Sequence, residues 1–155
     1  IAEIIRDLGM QIDHNRECCV DGNRGVAVYS AKFIPKVEKM LASKFPTPSL
    51  SPELTRYPKS MPDAPTGARR RGATLTWNAV EGEPGEVMRY TVYAIPRGVR
   101  DEDAMAEDGD GIDGSYLMGV YYGTEAEIPA GYDGYRMAVC TFDSRSTESS
   151  PAWVR

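Results

Sequence analysis

Apolar residues at the start of the chain recur every three or four positions: Ile1, Ile4, Ile5, Leu8 and Ile12. At that spacing the side chains share one face, which predicts a helix reaching about Glu17. Asp21-Gly22-Asn23-Arg24-Gly25 then supplies turn residues, and Val26-Ala27-Val28-Tyr29-Ser30 is a short apolar run that reads as a buried strand. A second helical stripe, from about Ala31 to Lys44, carries Phe33, Ile34, Val37, Met40 and Leu41 and must stop before Pro46 and Pro48. Phe45 to Pro65 holds six of the eleven prolines, so it reads as an extended connector that can lie along a surface without joining a ladder.

From Thr66 the period shortens from helical to alternating, and turn residues recur about every ten positions, the pattern of an antiparallel sandwich. Leu75 and Trp77 share one face of a strand over 73–77; Tyr90, Val92 and Ala94 share one face of a strand over 89–94. Further short strands are predicted over 116–122, 126–128, 135–142 and 152–154, with a first edge strand near Gly67 to Arg70, about seven in all. Trp77, Leu75, Val92, Tyr135, Met137 and Val139 are expected to share one core. The predicted organisation is a helix-strand-helix segment with its Pro-rich strap over 1–57 and a β-sandwich over 58–155.

The 155 residues carry 18 Lys and Arg against 23 Asp and Glu, a formal charge of −5. That balance argues against a phosphate-binding surface, so no nucleic-acid partner is expected. No apolar run approaches the roughly 20 residues that cross a bilayer. The length is too short for a complete catalytic barrel. Opening on Ile1 in the middle of an amphipathic pattern, the sequence reads as a piece cut from a longer protein. Its three cysteines, Cys18, Cys19 and Cys140, suit neither a disulfide framework nor a zinc site, and Cys18 and Cys19 read as ordinary thiols. The single histidine, His14, falls at a polar helix end and reads as a solvated side chain, which argues against cysteine- or serine-based nucleophilic catalysis.

Local patterns then coincide. Pro65-Thr-Gly-Ala and Ala73-Thr-Leu-Thr-Trp77-Asn-Ala resemble the opening strands of a fibronectin type III domain, and Arg89-Tyr-Thr-Val-Tyr93 resembles its third strand. Tyr135-Arg-Met-Ala-Val-Cys-Thr-Phe-Asp143, followed by Thr147-Glu-Ser-Ser-Pro151, is similar to its sixth strand and the turn into the seventh. The resemblance implies that Trp77 is the core tryptophan and Tyr135 a corner tyrosine with its hydroxyl bonded to backbone. The order of helix, Gly25-Val-Ala-Val-Tyr-Ser30, Ala31-Lys-Phe, helix, Pro-rich connector and fibronectin-like module resembles the C-terminal end of glycosyl hydrolase-like family ten, TIM-barrel proteins common in gut Bacteroides. On that resemblance Val26 to Ser30 is the last barrel strand, Ala31 to Lys44 the closing helix, and an upstream barrel domain the main partner. It also implies a periplasmic, cell-surface or secreted location.

Glycoside hydrolysis needs two carboxylates flanking the scissile bond, and barrel enzymes carry them at the C-terminal ends of strands. Ser30-Ala31-Lys32 contains none, so no catalytic residue is expected and no cofactor is called for. Ser30 reads as a helix N-cap, with Lys32 at most on a substrate rim. Asp101 to Asp113 places seven acidic residues in thirteen positions, with Asp108, Asp110 and Asp113 as a calcium candidate. Its spacing puts Ile112 and Asp113 where an EF-hand needs a ligand and a glycine, so a mobile solvated loop is the simpler expectation. Arg69-Arg70-Arg71 beside the first strand reads as edge protection. Sugar-binding modules present aromatic faces, and Tyr121, Tyr122, Tyr132 and Trp153 are the candidates; neighbouring Tyr121 and Tyr122 must face opposite ways in a strand. Two functions follow: a noncatalytic structural accessory module of a carbohydrate-active protein, or a module that itself binds glycan or a protein. The apolar stripes of residues 1–44 further predict that this part either folds back on the sandwich or associates with a second copy, and the length of the Pro-rich connector favours self-association.

Overall fold

Two α-helices dominate the described residues of the first part of the chain. In the computed structural model, which describes residues 2–18, 31–54, 56, 60–106 and 111–154, α1 spans Ala2–Glu17 and α2 spans Ile34–Lys44. α2 is entered through a 3-10 turn at Ala31–Phe33, because Pro35 suits a first turn where its missing N–H costs no bond. Gly9 faces Met40, and Asp13 pairs with Lys44 at 2.5 Å, so the two helices advance in the same direction. Arg16 closes this end, donating to the Lys44 carbonyl and lying 4.6 Å from the Phe45 ring centre. Ile12 and Val37 are the buried apolar residues of this helix pair. Ile4, placed on the same predicted stripe as Ile12, is 67% exposed, and Met10, Phe33 and Ile34 are exposed as well. The predicted strand Val26 to Ser30, the Ser30 cap and Cys19 lie outside the described residues.

The chain divides into two compact units, Ile1–Pro46 and Thr47–Arg155. The second holds two antiparallel sheets. β1 (Arg69–Arg71), β2 (Thr74–Thr76) and β5 (Glu125–Glu127) form one in the order β1-β2-β5. β3 (Arg89–Pro96), β4 (Leu117–Tyr121), β6 (Tyr135–Phe142) and β7 (Ala152–Trp153) form the other in the order β4-β3-β6-β7. The hairpin between β1 and β2 turns at Gly72, whose φ of +62° suits a residue without Cβ. Arg69, Arg70 and Arg71, expected beside the first strand, form that edge strand themselves.

Leu75, Trp77, Tyr90, Val92, Ala94, Met137 and Val139 pack between the sheets with Ala126 and Ile128, and half-buried Tyr135 packs against them. The six residues expected to share a core therefore do so. Tyr135 departs from its expected corner role: its ring packs edge-on against Tyr132 at 4.9 Å, and its hydroxyl makes no hydrogen bond among the described residues. The tyrosine hydroxyl that reaches backbone is that of Tyr90, which accepts the Val80 N–H at 2.8 Å.

β3 also departs from simple alternation, since Tyr90 through Ile95 are all buried. The cause is the long acidic connection. Instead of standing free in water, its described parts fold onto the outer face of the four-stranded sheet through a 3-10 turn at Glu102–Ala104 and a bridge between Met105 and Ile112. Ala104 and Ile112 are buried there with Tyr93, Ile95, Leu117, Ala138 and Cys140. Over its described residues the expectation of a solvated loop fails because Ala104 and Ile112 face inward and anchor it, while Asp101, Glu102 and Asp103 stay exposed.

Candidate functional site

The outer face of the four-stranded sheet carries a polar centre. Thr91 and Tyr93 point outward from β3, two residues apart on the same face, and Glu148 in the connection from β6 to β7 folds over them. The Thr91 hydroxyl donates to Glu148 Oε1, and the Tyr93 hydroxyl lies 2.8 Å from both carboxylate oxygens. Burial raises the Glu148 pKa, and the two hydroxyls pull it back only in part. Burial likewise raises the Tyr93 phenol, with the Glu148 charge adding to it, and pushes the neighbouring Cys140 thiol up to about 12.

A cleft of about 340 Å³ opens beside Glu148, lined by Leu50, Glu53, Met61, Met105 and Phe142 among others. Its far wall is the Pro-rich strap. Leu50 packs against the outer-face cluster, the Thr147 hydroxyl donates to Glu53 Oε1 at 3.0 Å, and the Leu54 N–H donates to the Arg145 carbonyl at 2.9 Å. The turn that receives the strap is fixed by Asp143, whose Oδ1 accepts the N–H groups of Arg145 and Thr147 at 2.9 and 2.8 Å. Both cleft carboxylates are therefore engaged, Glu148 by two hydroxyls and Glu53 by one. Groups held this way suit a clamp better than a pair of proton carriers, which must exchange protons with a substrate.

The four candidate aromatics do not form one platform. Tyr121 ends β4 at one edge of the sheet, half-buried against Trp77 with ring centres 6.4 Å apart. Tyr122, the residue after β4 rather than a member of it, is 74% exposed. Tyr132 packs on the inter-sheet core beside Tyr135, near enough to Tyr121 that its hydroxyl adds to the burial that raises the Tyr121 phenol. Trp153 lies on β7, at the opposite edge from β4, with the Arg136 guanidinium 5.1 Å from its ring centre. Trp153 and Tyr135 line a second cleft, of about 500 Å³, with Arg70, Arg97 and Arg136.

Of the calcium candidates, Asp108 and Asp110 lie outside the described residues. Asp113 caps a 3-10 turn at Gly114–Tyr116 by accepting the Ser115 N–H at 2.7 Å, and the Ser115 hydrogen bonds lower its pKa. Among the described residues no group of three or more His, Cys, Asp or Glu side chains is placed to hold a metal, and no helix is long and apolar enough to cross a membrane.

His14 is exposed as expected, and Cys18 Sγ lies 3.6 Å from both its ring nitrogens, one helical turn on. At a helix C-terminus the dipole disfavours a thiolate, and both groups are open to water, so the contact lacks the setting of a catalytic dyad. Glu148 was missed altogether, hidden in a run of small polar residues. The only signal was the unusual pair of hydroxyls, Thr91 and Tyr93, on one face of an otherwise apolar strand. No protein-family model, curated protein or solved structure matches the chain.

Proposed function

We propose that the chain is the noncatalytic C-terminal accessory module of a carbohydrate-active, glycoside hydrolase-like protein. In this reading the sandwich is of the fibronectin type III kind, and residues 1–44 are the helix-strand-helix end of a TIM barrel. The sheet orders β1-β2-β5 and β4-β3-β6-β7 suit that sandwich, which places its first, second and fifth strands in one sheet. Two neighbouring helices running in the same direction suit the barrel, because consecutive helices of an α/β barrel are parallel and joined through an intervening strand.

The observation that carries the proposal is the docked strap. Residues 50–54 pack into the sandwich's outer face and hydrogen-bond to the 145–147 turn, so the connector is held as part of the module. A strap of this kind suits a sandwich that braces the chain leading into it. Location outside the cytoplasm belongs to the same proposal, as does self-association of residues 1–44 through exposed Ile4, Met10, Phe33 and Ile34 whenever the barrel is missing.

The purified chain should turn over no aryl glycoside, and the connector should resist proteolysis at residues 47–54. Glu53→Ala with Leu54→Pro, which removes one partner of each strap bond, should make that stretch the first site cut. Turnover by contaminant-free protein, or early cleavage of the strap in the unaltered chain, would overturn the accessory reading. Light scattering over a dilution series checks self-association, which a strict monomer would exclude.

A further inference from the structure

The strap cleft is acidic, with Glu53 and Glu148 on its walls, and a shallower one beside Asp63, Glu81, Glu83 and Glu86 is more so. The cleft of about 500 Å³ between the end of β3 and the start of β6 differs in sign: Arg70, Arg97 and Arg136 line it against Asp101 and Asp133. In a chain of net charge −5 this is a local excess of positive charge. Two of its arginines are held in place. Arg70 donates to the Gly72 and Tyr132 carbonyls at 2.9 and 3.1 Å and to Asp133 at 3.0 Å; Arg136 donates to the Val99 carbonyl at 2.7 Å and to Asp101. Their order is thus established before any ligand arrives.

Positive capacity remains. Arg97, exposed on the turn after β3, has no hydrogen bond or ion pair among the described residues. Asp133 and Asp101 are 93% and 69% exposed and each meets its arginine through Oδ1, which leaves Oδ2 open as an acceptor. Tyr135 and Trp153 add aromatic surface to the same walls.

The geometry points to a binding site for a saccharide bearing a carboxylate, a uronic acid unit, in the cleft of Arg70, Arg97, Arg136, Tyr135 and Trp153. Arg97 takes the carboxylate as a charge-assisted pair, Asp101 and Asp133 accept ring hydroxyls, and the rings of Tyr135 and Trp153 meet the apolar edge of the sugar. A simple anion would need the arginines alone; open carboxylate acceptors and aromatic walls beside them match a polyol that also carries charge. A cleft of this volume is of the ordinary size for a small ligand. The site goes beyond the accessory role and stands apart from it: glycoside turnover would overturn that role without touching this cleft.

Calorimetric titration of the whole chain with a trimer of galacturonic acid and one containing glucuronic acid is the test, with the neutral galactose trimer and sodium acetate as further arms. Saturable binding of at least one uronate is expected, weakening as salt rises. Arg97→Ala should weaken it about tenfold, the loss of one charge-assisted contact, with an unchanged urea midpoint, and Tyr122→Ala should leave it unchanged. Failure of both uronates to bind overturns the inference, as does equal binding of the neutral trimer. Acetate competing as well as the trimer would mark a plain carboxylate site, and an Arg97→Ala variant that binds normally would place the ligand elsewhere.

Discussion

On the inner face of the four-stranded sheet, Tyr90, Val92, Ala94, Met137 and Val139 meet the side chains of the other sheet, and the core closes by apolar contact. On the outer face of the same strands, Thr91, Tyr93 and Cys140 lie under a loop, a strap and a glutamate. The inner face is covered by a sheet with its own hydrogen-bond ladder. The outer face is covered by segments that have almost none, so their backbone groups and side chains must find partners on the sheet and its turns. Burial alone does not distinguish the two, since Val92 and Tyr93 are both fully buried. They differ in how much of the cover is bound by polar contacts, and hence in how the two faces respond to truncation and to pH.

The largest expected effect is on the inner side. Trp77→Ala should cost about 3–5 kcal/mol in urea unfolding, the range for removing a buried aromatic. Trp77→Phe should cost much less, because the indole N–H is buried without a partner among the described residues and its removal relieves an unmet donor. A Phe variant as damaged as the Ala variant would show that the indole has a partner in solution.

On the outer side, Tyr93→Phe removes the hydroxyl at Glu148 while keeping the ring, so a loss of about 1–2 kcal/mol is expected. If that loss matched Trp77→Ala, the outer face would be the principal core and the comparison would invert.

The smallest effect separates the faces most sharply, because only the outer one titrates. The Glu148 pKa in the fold lies above its ordinary value of 4.5, so the folded chain binds that proton more tightly than the unfolded chain does. Its contribution is most favourable below the ordinary value and declines as pH rises from there through the raised one. Glu86 and Asp113 act in the opposite sense, each lowered by hydrogen bonds and losing its contribution as pH falls. Glu148→Gln should therefore gain on the unaltered chain as pH climbs from about 4 to 8, read from urea midpoints. A difference that stays flat across that range would mean that the carboxyl is hydrated rather than buried.

The inner face was legible in the sequence because each of its residues announces itself locally. Leu75 and Trp77, then Tyr90, Val92 and Ala94, alternate with period two, and the eight residues of β6 fall where expected. The outer face was not. Its cover comes from Leu50, from Ala104 and Ile112, and from Glu148, three stretches whose only common property is where they land. Asp101 to Asp113 has the composition of a solvated loop because its charges outnumber its anchors, and two or three apolar residues in such a stretch carry no period. The arginine cleft is likewise dispersed: Trp153 stands out for its ring, but Arg70 reads as edge protection, and Arg97 and Arg136 belong to no local pattern. Pairwise proximity across 30 to 80 residues has no local signature.

The buried position of Cys140 has a kinetic consequence. With 1% of its surface accessible and its thiol weakly acidic, it cannot meet an alkylating reagent until Leu50, Met105 and their neighbours lift away. Cys18 stands in water and reacts at once. Among the described residues there is thus an open thiol and a gated one, and the labelling rate of Cys140 against that of Cys18 is a clock for the breathing of the outer cover, set by the free energy of opening the strap and loop rather than of unfolding the sandwich.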